Sequence, residues 1–352
     1  MAYSSISKPS LHFNTKLYTG NGSTQSITGV GFQPDWVWFK NRSSSQNHRL
    51  FDAVRGAGKN LVSNNTGAEI NAGTGTSGQL RTFDSDGFSV GSDGSVNNNG
   101  ENIASWNWKA NSSGSSNSDG SVTSTVSANT TAGFSIVKWT GTGATATVGH
   151  GLGVKPSMII IKNTGATENW VVYHGSLGAE KNIKLNNTEA QQDTTGAFND
   201  TEPTSSVFTV HTNTNVNQSG YVMIAYCFAE KTGYSKFGSY TGNASADGTF
   251  VYTGFKPAFL MVKRYDAAGD DWYIFDSARD TDNSVDKFLY PNADASEGTI
   301  SPTLDFYSNG FKWRKASAFS PVNQSSATYI YMAFAEEPLV ANVGNSIPAT
   351  AR

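Results

Sequence analysis

One phrase recurs three times along this 352-residue chain, and it constrains the fold more than any other feature. Each copy opens with an aromatic residue followed by Thr-Gly, at Tyr18-Thr19-Gly20, Trp139-Thr140-Gly141 and Tyr240-Thr241-Gly242. A turn and a proline follow, and the proline launches an apolar run that ends in lysine: Pro34 to Lys40, Pro156 to Lys162 and Pro257 to Lys263. Aromatic-rich runs close the copies, at Asn102 to Trp108, Tyr221 to Phe228 and Tyr329 to Phe334. Successive copies lie roughly 100 residues apart, which is too long for a solenoid or propeller unit and about the size of one small domain.

Aromatic and β-branched runs between Gly, Asn, Asp and Ser clusters read as strands. Trp36 and Trp38 share parity, so a strand would put both rings on one face. These two, with Trp106 and Trp108, are expected in the core of the first domain. Helical signal is confined to Phe51–Arg55 and Ser277–Arg279, enough for a turn. The expected fold is all-β, with three tandem antiparallel β-sandwich, jelly-roll-like domains at 17–109, 132–230 and 234–336.

Residues 110–131 are almost entirely Ser, Asn, Gly, Thr and Asp, and read as a linker or an extended crossing segment. The next junction is short, so the second and third domains are expected to pack together. Residues 1–16 and 337–352 fall outside every copy and read as extended arms ordered by a neighbouring subunit. The contact residues expected there are Ile6, Pro9, Leu11 and Phe13 at one end, and Leu339, Val340, Ile347 and Pro348 at the other.

Charge narrows the partners. Only 15% of residues are charged and the formal net charge is −3, so the chain carries no electrostatic footprint for nucleic acid or an anionic membrane. Cys227, the single cysteine, lies in an apolar run and reads as a small buried hydrophobe. Met1–Ser10 lack the pattern of a secretory signal, and no run approaches 18 apolar residues. The expectation is folding in a cytoplasm, with any later exposure reached by assembly into a particle and no membrane insertion.

The richest local signature is Phe51-Asp52-Ala53-Val54-Arg55, echoed by Phe275-Asp276-Ser277-Ala278-Arg279. The Asp and Arg could face a ligand beside the aromatic residue; the plainer and preferred reading is a salt-bridged turn that fixes a loop. The second copy has Tyr173-His174 there and lacks the pair. Asp84-Ser85-Asp86-Gly87 supplies too few carboxylates for a calcium loop and reads as a turn. The five histidines show no zinc spacing, and Gly149-His150-Gly151 reads as a turn. No Gly-x-Ser-x-Gly elbow is present, and acidic residues concentrate in turns rather than strands. A protein without catalytic residues, metal or cofactor is expected, the alternative being a glycan-depolymerising enzyme with two carboxylates brought together in space.

The run Gly31-Phe32-Gln33-Pro34-Asp35-Trp36-Val37-Trp38-Phe39-Lys40-Asn41-Arg42, then Phe51 to Gly56, Phe83-Asp84-Ser85-Asp86-Gly87-Phe88, and Asn99-Gly100-Glu101-Asn102 leading to Trp106-Asn107-Trp108-Lys109, resembles an uncharacterised repeat family of tailed bacteriophages, notably marine ones. The resemblance is full in the first copy. The third keeps Phe-Asp-x-x-Arg and Ser308-Asn309-Gly310-Phe311, and the second keeps only the frame. It implies a virion structural protein, a tail-fibre or tail-associated host-surface-binding component, or else a capsid decoration or head-fibre protein. The partners it implies are other virion subunits, further copies of the chain and a host-surface glycan. It transfers no catalytic residue.

Overall fold

The computed structural model describes residue 4 and residues 6–316 and 321–338. The described residues are mostly antiparallel strands, with a few single-turn helices such as Gly94–Asn97 and Thr214–Asn217. One four-strand order occurs in all three copies: opening strand, closing strand, launch strand, fourth strand. In the first copy these are Phe13–Thr19, Asn102–Trp108, Trp36–Asn41 and Arg49–Asp52. In the second they are Phe134–Thr140, Val222–Phe228, Met158–Asn163 and Val171–His174; in the third, Ser235–Thr241, Thr328–Pro338, Phe255–Arg264 and Trp272–Asp276.

The recurring Thr-Gly has a steric cause. A Cβ on Gly20, Gly141 or Gly242 would lie 2.1, 2.2 or 2.3 Å from the carbonyl oxygen of Asn98, Gln218 or Gln324, so only glycine lets the backbones approach. An asparagine fastens the same crossing in each copy. The side-chain oxygens of Asn97, Asn217 and Asn323 accept from the backbone N–H of Asn21, Thr142 and Asn243 at 2.9, 2.9 and 3.1 Å.

Strand periodicity then divides each launch strand between two cores. Val37 and Phe39, Ile159 and Ile161, and Leu260 and Val262 point into three separate clusters, each within its own copy. The alternate residues, Trp36 and Trp38, Met158 and Ile160, and Phe259 and Met261, all enter one common cluster. The closing strands add Trp106 and Trp108, Tyr226 and Phe228, and Met332 and Phe334. Trp108, Phe228 and Phe334 occupy equivalent places, and their ring centroids stand 6.4, 6.0 and 5.8 Å apart pairwise. Three matching rings in mutual contact mark an approximate threefold axis through the middle of the chain. The four tryptophans expected in the first copy's own core therefore belong to the shared one.

Two other expectations change. Part of segment 110–131 is sheet: Ser115–Asn117 pairs with Ser124–Asn129, which adds to the edge strand Phe134–Thr140. Polar side chains suit the outer of these strands because Ser115 and Ser116 are exposed, whereas the inner one buries Ser124, Val126 and Ser127. Of the N-terminal contact residues, Ile6, Pro9 and Phe13 are buried within the chain itself, and only Leu11 is exposed. Phe13 begins the opening strand and lies 4.9 Å from Trp108 and 5.1 Å from Phe334, ring to ring. Leu339, Val340, Ile347 and Pro348 lie outside the described residues.

A shared core predicts shared unfolding. Phe228→Ala should cost about 3 to 5 kcal/mol and lower the melting temperature of the whole chain in one calorimetric transition. Resolved transitions for separate copies would show that the common cluster does not couple them. Segment 132–230 expressed alone, with Phe134, Tyr226 and Phe228 uncovered, should fail to form a stable monomer.

Candidate functional site

The Asp/Arg motif sits where the copies meet. Asp52 ends a strand, and the following turn brings Arg55 back so that its Nε donates to Asp52 Oδ2 at 2.6 Å and its backbone N–H to Oδ1 at 2.8 Å. Arg279 and Asp276 repeat this at 2.5 and 2.8 Å. All four side chains are buried. Each arginine also pairs with a glutamate that sequence reading missed, Glu69 at 3.1 Å and Glu297 at 3.0 Å. Glu297 further receives a two-pronged contact from Arg42 at 2.9 and 2.8 Å. Burial alone would lower the pKa of Arg55, but the charges of Asp52 and Glu69 outweigh it and hold the group above its usual range. Phe51 and Phe275 face the other way, into the cores of their own copies.

The same carboxylates reach across to the next copy. Asp52 accepts from the Tyr226 hydroxyl at 2.8 Å, joining copy one to copy two. Asp276 accepts from Trp106 Nε1 at 3.0 Å, joining copy three to copy one. His174 holds the equivalent place in copy two. Its Nδ1 accepts from the Ser176 N–H at 3.1 Å, so the proton lies on Nε2, which donates to the Tyr331 carbonyl of copy three at 3.1 Å. One-to-two, two-to-three and three-to-one contacts make a closed ring.

Two more rings lie along the same axis. Trp170 Nε1 donates to the Val62 carbonyl and Trp272 Nε1 to the Lys184 carbonyl, each at 2.8 Å. His48 takes the matching position in copy one; its Nδ1 accepts from Trp38 Nε1 at 2.8 Å, leaving Nε2–H to donate to the Tyr290 carbonyl at 2.9 Å. The third ring is backbone to backbone: Glu69 N–H to Thr164 O, Gln191 N–H to Tyr265 O and Glu297 N–H to Arg42 O, at 2.8, 2.9 and 3.0 Å. Head-to-tail contacts that close in this way are those of a cyclic trimer, here within one chain.

The repeated lysine completes the pattern. Lys40, Lys162 and Lys263 are fully buried, and their ammonium groups donate to carbonyl oxygens. Lys40 reaches Asp294 O of copy three at 3.1 Å, and Lys162 reaches Thr66 O of copy one at 2.9 Å. Burial pushes all three down to about 8.

These groups form a clamp between the copies. The Asp52 and Asp276 carboxylates are saturated by their own arginine, a turn N–H and the neighbour's donor, and neither is exposed to a substrate. Asp86 holds a turn, accepting from the Gly29 and Gly31 N–H groups at 3.0 and 2.7 Å. His150 likewise accepts from the Leu152 N–H within its turn at 3.2 Å. Among the described residues, no group of three His, Cys, Asp or Glu side chains could hold a metal ion. Cys227 is buried, which pushes its thiol well up and keeps it protonated.

Fold and clamp together define an all-β protein whose three sequence copies interlock around one axis. Residues 8–338 match the model of a family described as a domain of unknown function (DUF7483), and the chain belongs to that family. No curated protein and no solved structure matches it.

Removing one member of a buried charged set strands the others, at a cost of about 3 to 5 kcal/mol. The second copy carries His174, Leu177 and Gln191 where the first has Asp52, Arg55 and Glu69. Arg55→Leu alone should therefore destabilise the chain by about that amount in urea unfolding. Combining it with Asp52→His and Glu69→Gln should recover part of the loss, and a triple variant no more stable than the single would refute charge coupling.

The lysines carry a pH signature. Between about 8 and 10.5 the unfolded chain binds more protons at these sites than the folded chain, so their contribution to stability grows as pH rises through that window. Unfolded tyrosines are half-ionised near pH 10, and the fraction already ionised below it acts oppositely. Unfolding free energy measured from about pH 8 to 9.5 should rise less steeply in Lys162→Met than in the wild type; identical slopes would exclude Lys162 as a source.

Proposed function

We propose that this chain is a non-catalytic structural component of a bacteriophage virion, three tandem β-sandwich domains closed into a pseudo-trimer that sits on a site of threefold symmetry and presents its outer faces for surface binding. The observation that carries this reading is the set of closed rings: contacts that a homotrimer would make between subunits are made here within one chain. The resemblance of residues 17–109 to phage virion repeats supports the setting. Between the two placements the sequence suggests, the rings favour a decoration or fibre-tip position over a fibre shaft, because a shaft needs homologous chains to pack along their length.

The expected outcome in solution is a monomer of 37.5 kDa by light scattering. In purified particles, cryo-electron microscopy should place single chains on threefold or local threefold positions. A stable homotrimer, or a chain missing from the particles, would overturn the proposal.

A further inference from the structure

The outer sheet of the third copy differs from its counterparts in a way the fold does not require. Gly298–Tyr307, Gly310–Trp313 and Phe250–Tyr252 lie side by side as neighbouring strands. Their inward residues Leu304, Phe306, Phe311, Trp313 and Val251 fill that copy's own core. The opposite face forms two rows, Asp305–Lys312–Phe250 and Tyr307–Gly310–Tyr252. Gly310 leaves the middle of the second row without a side chain, and Phe250 leans into it, its ring atom Cζ 3.0 Å from where a Cβ would stand. Phe250 and Tyr252 are 44% and 58% exposed, the largest exposures of any aromatic side chains among the described residues. Tyr307 meets Phe250 edge to face at 6.1 Å.

The register identifies the matching residues elsewhere. Ile27 pairs with Phe88 as Val251 pairs with Phe311, so Ser26 and Thr28 stand where Phe250 and Tyr252 do. Val148 pairs with Phe208, which puts Thr147 and Gly149 there in the second copy. Copy two covers this face with the preceding segment, for Ser121 N–H donates to Thr147 Oγ1 at 2.8 Å. The same scaffold thus stands without rings in two copies and carries three in the last.

We infer that the face formed by Phe250, Tyr252 and Tyr307 is a binding site for neutral hexopyranose chains. An exposed aromatic face offers the apolar C–H side of a pyranose a stacking surface, while charged groups at the edge bond the hydroxyls. Those groups are present with balanced sign: Asp305 lies 3.6 Å from Arg314, and Lys312 pairs with Asp247. Two cations and two carboxylates leave no net charge for an anionic sugar to neutralise, which selects a neutral one. The inference deepens the surface-binding part of the proposed function, and a test on purified protein separates it from any placement in a particle.

The test titrates cellohexaose and chitohexaose into the full chain, read by saturation-transfer NMR and calorimetry, for wild type and for the double variant Phe250→Ser/Tyr252→Thr. The variant copies residues that the first copy already carries, so its melting temperature should match the wild type. Wild-type binding of at least one sugar, weakened about tenfold or more in the variant, supports the site. Absence of binding to both sugars overturns it, as does equal binding by the variant. A variant that binds neither sugar differently yet fails to enter particles would assign the face to a protein contact instead, also overturning the glycan site.

Discussion

Everything in this structure depends on a cyclic closure carried out within one polypeptide. Each copy presents one edge to the next and receives the previous one, and the third copy's edge is met by the first. Three separate subunits would lose translational and rotational freedom to do this, at an estimated 4 to 15 kcal/mol or more per association. Covalent linkage replaces those losses with the smaller entropy of closing loops, which grows only slowly with length. The short Glu230–Gly233 junction and the strand pairing within 110–131 show the two links being absorbed into the fold.

Fusion also frees the copies to differ, and the first ring shows how. Trp106 and Tyr226 carry donors, and each faces a carboxylate, Asp276 or Asp52. Met332 holds the equivalent place in the third copy and has no proton to donate. A carboxylate opposite it would be buried without that partner, at a cost that grows as the surroundings become less polar. The second copy instead supplies its own donor, His174, and turns it on the adjacent Tyr331 carbonyl. With the carboxylate gone, a buried arginine would be unpaired, and Leu177 stands in its place; Gln191 replaces the glutamate and keeps the backbone contact that closes the third ring. The loss of the Asp/Arg motif in copy two is thus one coordinated change.

The frame was legible because local rules enforce it. Tyr18-Thr19-Gly20 and its repeats announce a backbone crossing that only glycine allows, and the alternation in Trp36 to Lys40 announces a strand. What could not be read was which core each face enters. Val37 and Trp38 are both apolar, and hydrophobic alternation has the same form whether a face meets its own second sheet or two other copies. The turn reading of Asp52 and Arg55 was available from their spacing of three. Their partners Glu69, Tyr226 and Trp106 were not, because no local pattern ties residues so distant in sequence. The strands in segment 110–131 were not read because the outer one, at a solvated edge, needs no apolar residues and the inner one buries serines beside Val126; Phe13 was misread because an arm and an opening strand look alike before the pairing partner is known.

The outward faces obey a different constraint from the axis. Along the axis a substitution in one copy forces another in its neighbour, as the Asp52, Arg55 and Glu69 positions show. On the outer sheets of the first and third copies this face meets solvent, so Phe250 and Tyr252 stand in the third where Ser26 and Thr28 stand in the first without any matching difference at the contacts between copies. The two regimes leave different marks: coupled differences where copies interlock, and solitary ones on the outer faces. The aromatic face of copy three is of the second kind. The threefold frame is then symmetric in its support and asymmetric in its outer surface, so the proposed placement on a threefold site and the proposed single binding face are compatible.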